Sequence, residues 1–482
     1  MSDVPAFERL LAAMRLRGEG LALDDGQETL SYRAVASRID EGRIAIAAAG
    51  MADGDRVSVV VRQRCSDVVN LLAVMAAGGV AVPCDSMWPE HRRSRTEKDA
   101  GIRFRLDGES RVALDMPSTS TRPEHGPVTE SLALLIYTSG STAEPKGVMI
   151  QADQIEFCTE RIGEQLAYTM HDRIACPIRL SFDYGLYQVF LAFASGATLV
   201  LCDATDPFGW LRAAIRRTGP TVLALTPSMA RAAGAKWLRS GRDDHVRLVT
   251  FTGEPVDRRV LADVADAFPY SSTVLMYGVT ECKRVSISEP DEWRSDSTIV
   301  GRPLRGTTVV VRDRHGDQLR NGEVGEIHVH GPNLSAGYWR DPGLTERKFP
   351  VYSGRRELAT EDLGYVDASG RLHIVGRLGD TYKERGQRVS VQEVEAAALS
   401  CDGVTGAVCV PPHDDTKSTL FVTTEDRVGR HEFLTGLGQL LGAERAPRRI
   451  VRVGALPLTP NGKADRKTLR RFAVEDTGNA WM

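Results

Sequence analysis

Between Leu134 and Ile150 the chain reads LLIYTSGSTAEPKGVMI, an apolar run followed by Thr138, Ser139, Gly140, Ser141, Thr142, Lys146 and Gly147. Small residues let backbone N–H groups approach phosphate oxygens, and hydroxyls and a lysine add donors and positive charge. A Gly/Ser-rich segment can also be no more than a connection. Two features favour an anion site: the loop follows a strand-like run, and its hydroxyls precede an ordered Pro-Lys-Gly. The GxxxxGK[ST] loop of P-loop NTPases is absent, so that chemistry fits poorly. Other polar groups point elsewhere. His328 and His330, in HVH, read as alternating strand positions rather than a metal site. The eight cysteines show no Cys-x-x-Cys and no zinc spacing, which suits reduced thiols in a cytoplasmic protein.

The elements that must hold such a loop are legible in the hydrophobic pattern. RVSVVV (56–61), TLVLC (198–202), TVLAL (221–225) and VRLVTF (246–251) are short β-branched runs. They alternate with helix-like stretches such as ADQIEFCTERIGEQL (152–166) and GWLRAAIRRT (209–218). This alternation predicts an α/β core with buried parallel strands. From about 294 the texture changes to short strands broken by Gly, Pro, Asp and Asn, read as antiparallel β with a hairpin turn at DASG. After GRLGD (376–380) an α+β stretch begins, with helices over 391–399 and around 431–441 and strands over 405–410 and 419–424. At ~150 residues per domain, 482 residues suggest about three domains or subdomains. The expected fold is α/β, with a large N-terminal domain (1–378) of stacked α/β subdomains plus a β-rich subdomain. A small C-terminal α+β domain (379–482) follows. Lys plus Arg total 61 against 64 Asp plus Glu, a net charge of −3, which argues against nucleic acid or an anionic membrane as partner. The N-terminus lacks a signal peptide's apolar core, and no run approaches the ~18 apolar residues of a membrane span. A soluble, cytoplasmic protein is expected.

YTSGSTAEPKGV resembles the phosphate-loop signature of the adenylate-forming superfamily: acyl-CoA synthetases, luciferases and the adenylation domains of nonribosomal peptide synthetases. Ala143 departs from the glycine usual there. Six further segments resemble the superfamily in its own order: AAGGVAVPCDSMWP (76–89), MYGVTE (276–281), GEVGEIHVHGPNLSAGYW (322–339), ATEDLGYVDASGRLHIVGRLGD (359–380), KERGQRVSVQEVE (383–395) and LPLTPNGKADRKTL (456–469). The resemblance implies ATP and Mg²⁺ as cofactors and assigns roles. Lys463 is the catalytic lysine bridging the substrate carboxylate and the phosphates. Glu281 is the magnesium ligand, Thr280 touches the α-phosphate, and Tyr277, after which comes Gly278, stacks on adenine. Asp362 accepts hydrogen bonds from the ribose hydroxyls, and Arg377 contacts ribose or phosphate. Glu361 departs from the usual glycine. Gly379 and Asp380 form the hinge, where the superfamily places Asp or Lys directly after Gly-Arg-x. About this hinge the mobile C-terminal domain rotates after adenylation, bringing the loop around Gly386 to the site. The required chemistry agrees, because joining a carboxylate to an α-phosphate needs cations and dipoles aimed at developing negative charge.

LSFDYGLYQVF (180–190) resembles the substrate segment of peptide-synthetase adenylation domains, in which an aspartate at the position of Asp183 binds the substrate amino group. Tyr184, Tyr187, Ala224, Thr250, Thr252, Met276, Arg284 and Val285 would line the same pocket. Two tyrosines suggest a small or flat side-chain pocket. Arg284, beside Lys283, either pairs with a second anionic or polar group of the substrate or is solvated or bound to a nearby carboxylate. A small amino acid is the first expectation for the substrate. The PLTPNGKADRKTL ending resembles peptide synthetases, and the chain stops 19 residues after Lys463. That suggests a stand-alone ligase serving the phosphopantetheine thiol of a separate carrier protein in secondary metabolism. Coenzyme A is the second candidate acceptor, making an acyl- or aryl-CoA ligase, and an amine or other non-thiol nucleophile is the third.

Overall fold

The computed structural model describes residues 6–108, 112–113, 131–139, 145–201, 207–231, 245–385, 387–412, 416–425, 428–442, 444–458, 464–474 and 479–480. The parallel strands expected from the β-branched runs are present, divided between two sheets. In the larger one, Thr198–Leu201, Arg173–Cys176, Val222–Leu225, Leu248–Phe251 and Ser272–Tyr277 lie side by side and parallel. Leu21–Asp24 adds parallel to Thr198–Leu201, and short antiparallel strands close both edges. In the second sheet, Leu132–Ser139, Val80–Asp85, Arg56–Val61 and Phe104–Asp107 are parallel neighbours, and Pro145–Gln151 adds antiparallel to Leu132–Ser139. Strands buried on both faces carry continuous apolar runs rather than alternation, and residues 222–225 and 248–251 are buried throughout.

Helices fill the space against these sheets. Ala152–Leu166 buries Ile155, Cys158, Ile162 and Leu166, the helical spacing read from the sequence. Asp183–Ser195 is buried on all faces from Tyr184 to Phe193 and ends at Gly196, whose φ of 83° is the left-handed conformation glycine adopts cheaply at a helix end. Thr308–Arg312, Gly325–His330, Leu358–Val366 and Leu372–Arg377 form the antiparallel β-rich part, with Asp367–Gly370 turning the last hairpin. His328 is buried against Glu357, and His330 pairs its Nδ1 with the Arg356 carbonyl.

Beyond a single 3-10 turn over Leu378–Asp380 come a hairpin, Thr381–Glu384 with Gln387–Ser390, and the helix Val391–Leu399. A sheet of Val404–Val410, Thr419–Thr424 and Arg449–Arg452 follows, with the helix Arg430–Leu441 beside it. Buried apolar residues from Tyr382 to Ile450 form a cluster of their own. The seven cysteines among the described residues are all buried and unbonded. No helix among the described residues is long and apolar enough to cross a membrane.

Candidate active site

The parallel strands of the larger sheet end on a common line, in the crevice outside their carboxyl ends where α/β sheets usually bind ligands. Leu225, Phe251 and Leu275 are in register, so Thr252 and Met276 emerge together. The chain then makes a compact loop over 278–285. Cys282 and Lys283 donate their N–H groups to the Val279 carbonyl (3.0 and 2.7 Å), and Val285 donates to Tyr277 (2.8 Å). Gly278 is required here: a Cβ on it would lie 2.0 Å from the Lys283 carbonyl oxygen. Lys283 itself has a φ of 60°, uncommon for a non-glycine residue and characteristic of a constrained functional turn. Asn333, fully buried, donates to the carbonyls of Cys282 (3.2 Å) and Arg284 (3.1 Å), and Gln154 donates to the Asn333 carbonyl (2.7 Å).

Tyr277 ends its strand nearly buried and donates its hydroxyl to Asp362 Oδ2 at 2.8 Å. Asp362 is registered opposite Arg377, with Nε 3.8 Å from Oδ1. Burial raises the Asp362 carboxyl, opposed by Arg377 and the Tyr277 hydroxyl. Glu361, where the sequence carries an acid in place of glycine, has a φ of 63°. The chain thus keeps a left-handed turn that glycine would make freely, and Glu361 uses it to reach Lys348 (2.7 Å) and Arg377 (3.5 Å). Glu281, half-buried beside Thr280, accepts a hydrogen bond from the Tyr338 hydroxyl at 2.6 Å. Tyr338 stands on Gly337–Tyr338, which pairs with Pro145–Gln151, so this bond ties Glu281 to the hairpin that carries the phosphate-loop motif. Thr138 and Lys146 face each other across that hairpin, and Ser139 opposes Pro145. Gly140, Ser141, Thr142, Ala143, Gly386 and Lys463 lie outside the described residues.

Gln63, just past Arg56–Val61, and Asp85, the last residue of Val80–Asp85, pin the chain before Asp183. The Leu180 N–H donates to Gln63 Oε1 (2.6 Å), Arg179 pairs with Asp85 (2.8 Å), and Ser181 donates to Asp85 (3.1 Å). Asp183 then opens the buried helix, half-buried, where it acts electrostatically on Lys283, Arg284 and Tyr187. Tyr184 bonds through its hydroxyl to Thr250 Oγ1 (2.7 Å), and Arg284 donates to Thr252 Oγ1 (2.6 Å) while lying over the Tyr184 ring. Lys283 lies 5.5 Å from the Tyr187 ring centroid.

A strand-end tyrosine bonded to a buried carboxylate, a held acid and an aspartate without a bonded partner among the described residues thus meet at one crevice. The model of the family described as AMP-binding enzyme matches residues 12–339. The chain belongs to the AMP-binding enzyme family. It is an adenylate-forming enzyme. This adenylate-forming enzyme is 29% identical to tyrocidine synthase 2 of Brevibacillus parabrevis over 477 residues, covering 94% of the chain and 13% of that protein. It is 28% identical to gramicidin S synthase 2 of Aneurinibacillus migulanus over 445 residues, covering 87% of the chain and 10% of that protein. The chain therefore spans less than a fifth of the length of these relatives. Among solved structures it is similar to VinN, with 29% identity and a TM-score of 0.68 over 77% of this chain and 99% of that one. It shares the fold of ATP-bound MatB from Rhodopseudomonas palustris, with a TM-score of 0.80 and 23% identity over 97% and 99% of the two chains.

Of the residues expected to form the site in this adenylate-forming enzyme, Tyr277, Gly278, Thr280, Glu281, Asp362 and Arg377 lie towards the Tyr277–Asp362 bond. Asp183, Tyr184, Tyr187, Thr252, Met276 and Arg284 lie towards Lys283 and the start of the buried helix. Ala224, Thr250 and Val285 are buried behind them. Sequence reasoning did not single out Tyr338, Asn333 or Gln154, which hold the loop rather than the ligand. Tyr338 lies in the GYW motif already noticed, so the motif was visible and its partner was not. Nor did it place Lys283 in the pocket: buried as both cations are, neither is a solvated surface group.

Proposed function

We propose that this enzyme activates a small amino acid as its acyl-adenylate and passes the acyl group to the phosphopantetheine thiol of a carrier protein. The observation carrying the amino acid reading is Asp183, a half-buried carboxylate opening the buried helix, with no hydrogen bond or ion pair among the described residues. A carboxylate whose remaining water a substrate displaces needs a cationic partner, and a substrate ammonium supplies one. The long alignment with peptide synthetases supports the same reading.

In the first step a substrate carboxylate oxygen bonds to the α-phosphorus of ATP while the bond to the pyrophosphate oxygen breaks. Pyrophosphate leaves with both electrons of that bond. Tyr277 would flank the adenine, Asp362 would take the ribose hydroxyls, and Thr138, Thr280 and Lys146 would meet the phosphates. Lys463 would bridge the two reacting anions. The donor set suits Mg²⁺, since Glu281 offers hard carboxylate oxygen and Tyr338 fixes one of its two oxygens. When bound there, Mg²⁺ supplies positive charge to the phosphates. In the second step the thiol sulfur bonds to the acyl carbon, AMP leaves and the thiol proton is released. We place the boundary between the two domains at 378–380 and assign the second step to rotation about Gly379 and Asp380.

The test is substrate-dependent pyrophosphate release across amino acids, β-amino acids, aryl acids and short acids, with and without hydroxylamine as trap. A strong signal with one amino acid is expected. Release only with acids lacking an amino group would overturn the role of Asp183. Acyl transfer to a carrier protein, to coenzyme A or to an amine, followed by product mass, separates the acceptors.

A further inference from the structure

The Lys283 ammonium is 2% exposed and has no hydrogen-bond partner among the described residues. Arg284 beside it is 6% exposed, and its Nε is likewise unpartnered, its one side-chain bond going to Thr252. Buried charges are ordinarily paired, because an ion stripped of water without a counter-ion is costly. The Tyr184 and Tyr187 rings lie near these cations but carry no compensating negative charge. Asp183 acts on both cations through space, yet it forms no ion pair with either, and one half-buried carboxylate faces two buried cations. Burial depresses the Lys283 amine, with Asp183 the first of the groups opposing that fall. The loop is moreover built to hold this lysine inward: Lys283 adopts a left-handed φ, Gly278 leaves room for its carbonyl, and Asn333 grips the backbone on both sides of it.

From this unpaired cation pair we infer that the substrate carries a second carboxylate, which Lys283 and Arg284 bind while Asp183 binds the amino group and the reacting carboxylate faces the nucleotide. The substrate class is a short amino dicarboxylic acid. This rests on the amino acid reading above. The second carboxylate undergoes no covalent change, and adenylation of the first proceeds as already written. A site with buried cations set for an anion rejects the neutral isostere strongly, because the isostere leaves those charges unpaired.

The test measures pyrophosphate release with four- and five-carbon amino dicarboxylic acids, both α- and β-amino, against the same molecules with the second carboxylate replaced by an amide or methyl. Thermal melting of the protein with each acid is measured in parallel. The acids should exceed their neutral isosteres by at least ~100-fold in kcat/KM. Lys283→Met should lower kcat/KM for the acid at least ~10-fold and shrink the preference for acid over amide. Without ligand, Lys283→Met should melt no lower than the parent, since it removes an uncompensated buried charge. Arg284→Gln gives a second variant with the same expected loss of preference if Lys283→Met fails to fold. Efficient release with neutral amino acids, with Lys283→Met leaving selectivity unchanged, would overturn this inference and leave the amino acid reading standing. Release only with acids lacking an amino group would overturn both, as would no release with any acid.

Discussion

Asp183 and Glu281 are two carboxylates of similar exposure with opposite assignments, and their surroundings separate them. Glu281 is held by a phenol, which leaves one oxygen directed and available to a cation. Asp183 has no hydrogen bond or ion pair among the described residues and acts through space on two cations, Lys283 and Arg284. Asp183→Asn keeps the shape and removes the charge, so activation of the amino acid should fall about 100-fold in kcat/KM, or ~3 kcal/mol, while a des-amino analogue is less affected. Steady-state pyrophosphate release with both substrates checks this. Tyr338→Phe removes the bond that orients Glu281. Partners of a metal-binding carboxylate typically matter by 10–100-fold in metal affinity. The Mg²⁺ concentration for half-maximal rate should therefore rise about tenfold with the acid KM nearly unchanged, measured by titrating Mg²⁺ at saturating acid.

At the scale of elements, the site depends on parallel strands ending at the same level. A polar cluster fixes that level from the far end. Asp172, Thr221 and Arg247 each precede one of three adjacent strands: Arg173–Cys176, Val222–Leu225 and Leu248–Phe251. Asp172 accepts from Thr221 (2.6 Å) and Arg247 (2.8 and 2.7 Å) and from the Thr169 N–H (2.7 Å). Burial by itself would raise this carboxyl. The bonds from Arg247, Thr221 and Thr169 outweigh it and bring the pKa down to about 2. A carboxyl lower in the folded than in the unfolded chain contributes stability that is full above its unfolded pKa of ~3.9 and lost as pH falls towards the folded value. Melting temperatures between pH 5 and pH 2 should therefore drop less steeply in Asp172→Asn than in the parent, even though the variant starts from lower stability at neutral pH. Glu361 illustrates the reverse arrangement, in which a left-handed φ is retained without glycine and the side chain is tied to Lys348 and Arg377 instead.

At the scale of the molecule, the C-terminal part packs its own apolar cluster and meets the rest through polar contacts. Arg259 donates to the Val404 carbonyl (3.2 Å), and a cleft of about 570 Å³ lies between residues 257–259 and 399–403. Asp380 accepts from Gln392 (3.0 Å), tying the turn at 378–380 to the first C-terminal helix. Gly379 sits in open space with an ordinary negative φ, so alanine fits this arrangement without a clash. If the second step needs Gly379 to reach other backbone angles, Gly379→Ala should leave pyrophosphate release within about twofold and slow thiol acylation at least ~10-fold. Single-turnover transfer from preformed acyl-adenylate reads the second step alone, and equal transfer rates would remove Gly379 from the hinge.

The sequence by itself determined the α/β class, the position and type of the main strands and helices, and the motifs by which the chain resembles the adenylate-forming superfamily. These are local: periodicity, turn residues and short ordered patterns are written in consecutive positions. Asp183, Glu281 and Asp362 are named through the resemblance of their segments to the adenylate-forming superfamily. Only the tertiary structure decided which side chains hold them. The bond from Tyr338 to Glu281, the grip of Asn333 on the 278–285 loop and the alignment of Asp172 with Thr221 and Arg247 join residues far apart in the chain. The same holds for Lys283, which reads as a surface lysine beside an arginine until the Gly278 turn folds it inward. Burial, and with it the charge a substrate must bring, is a property of packing and is not contained in any one segment.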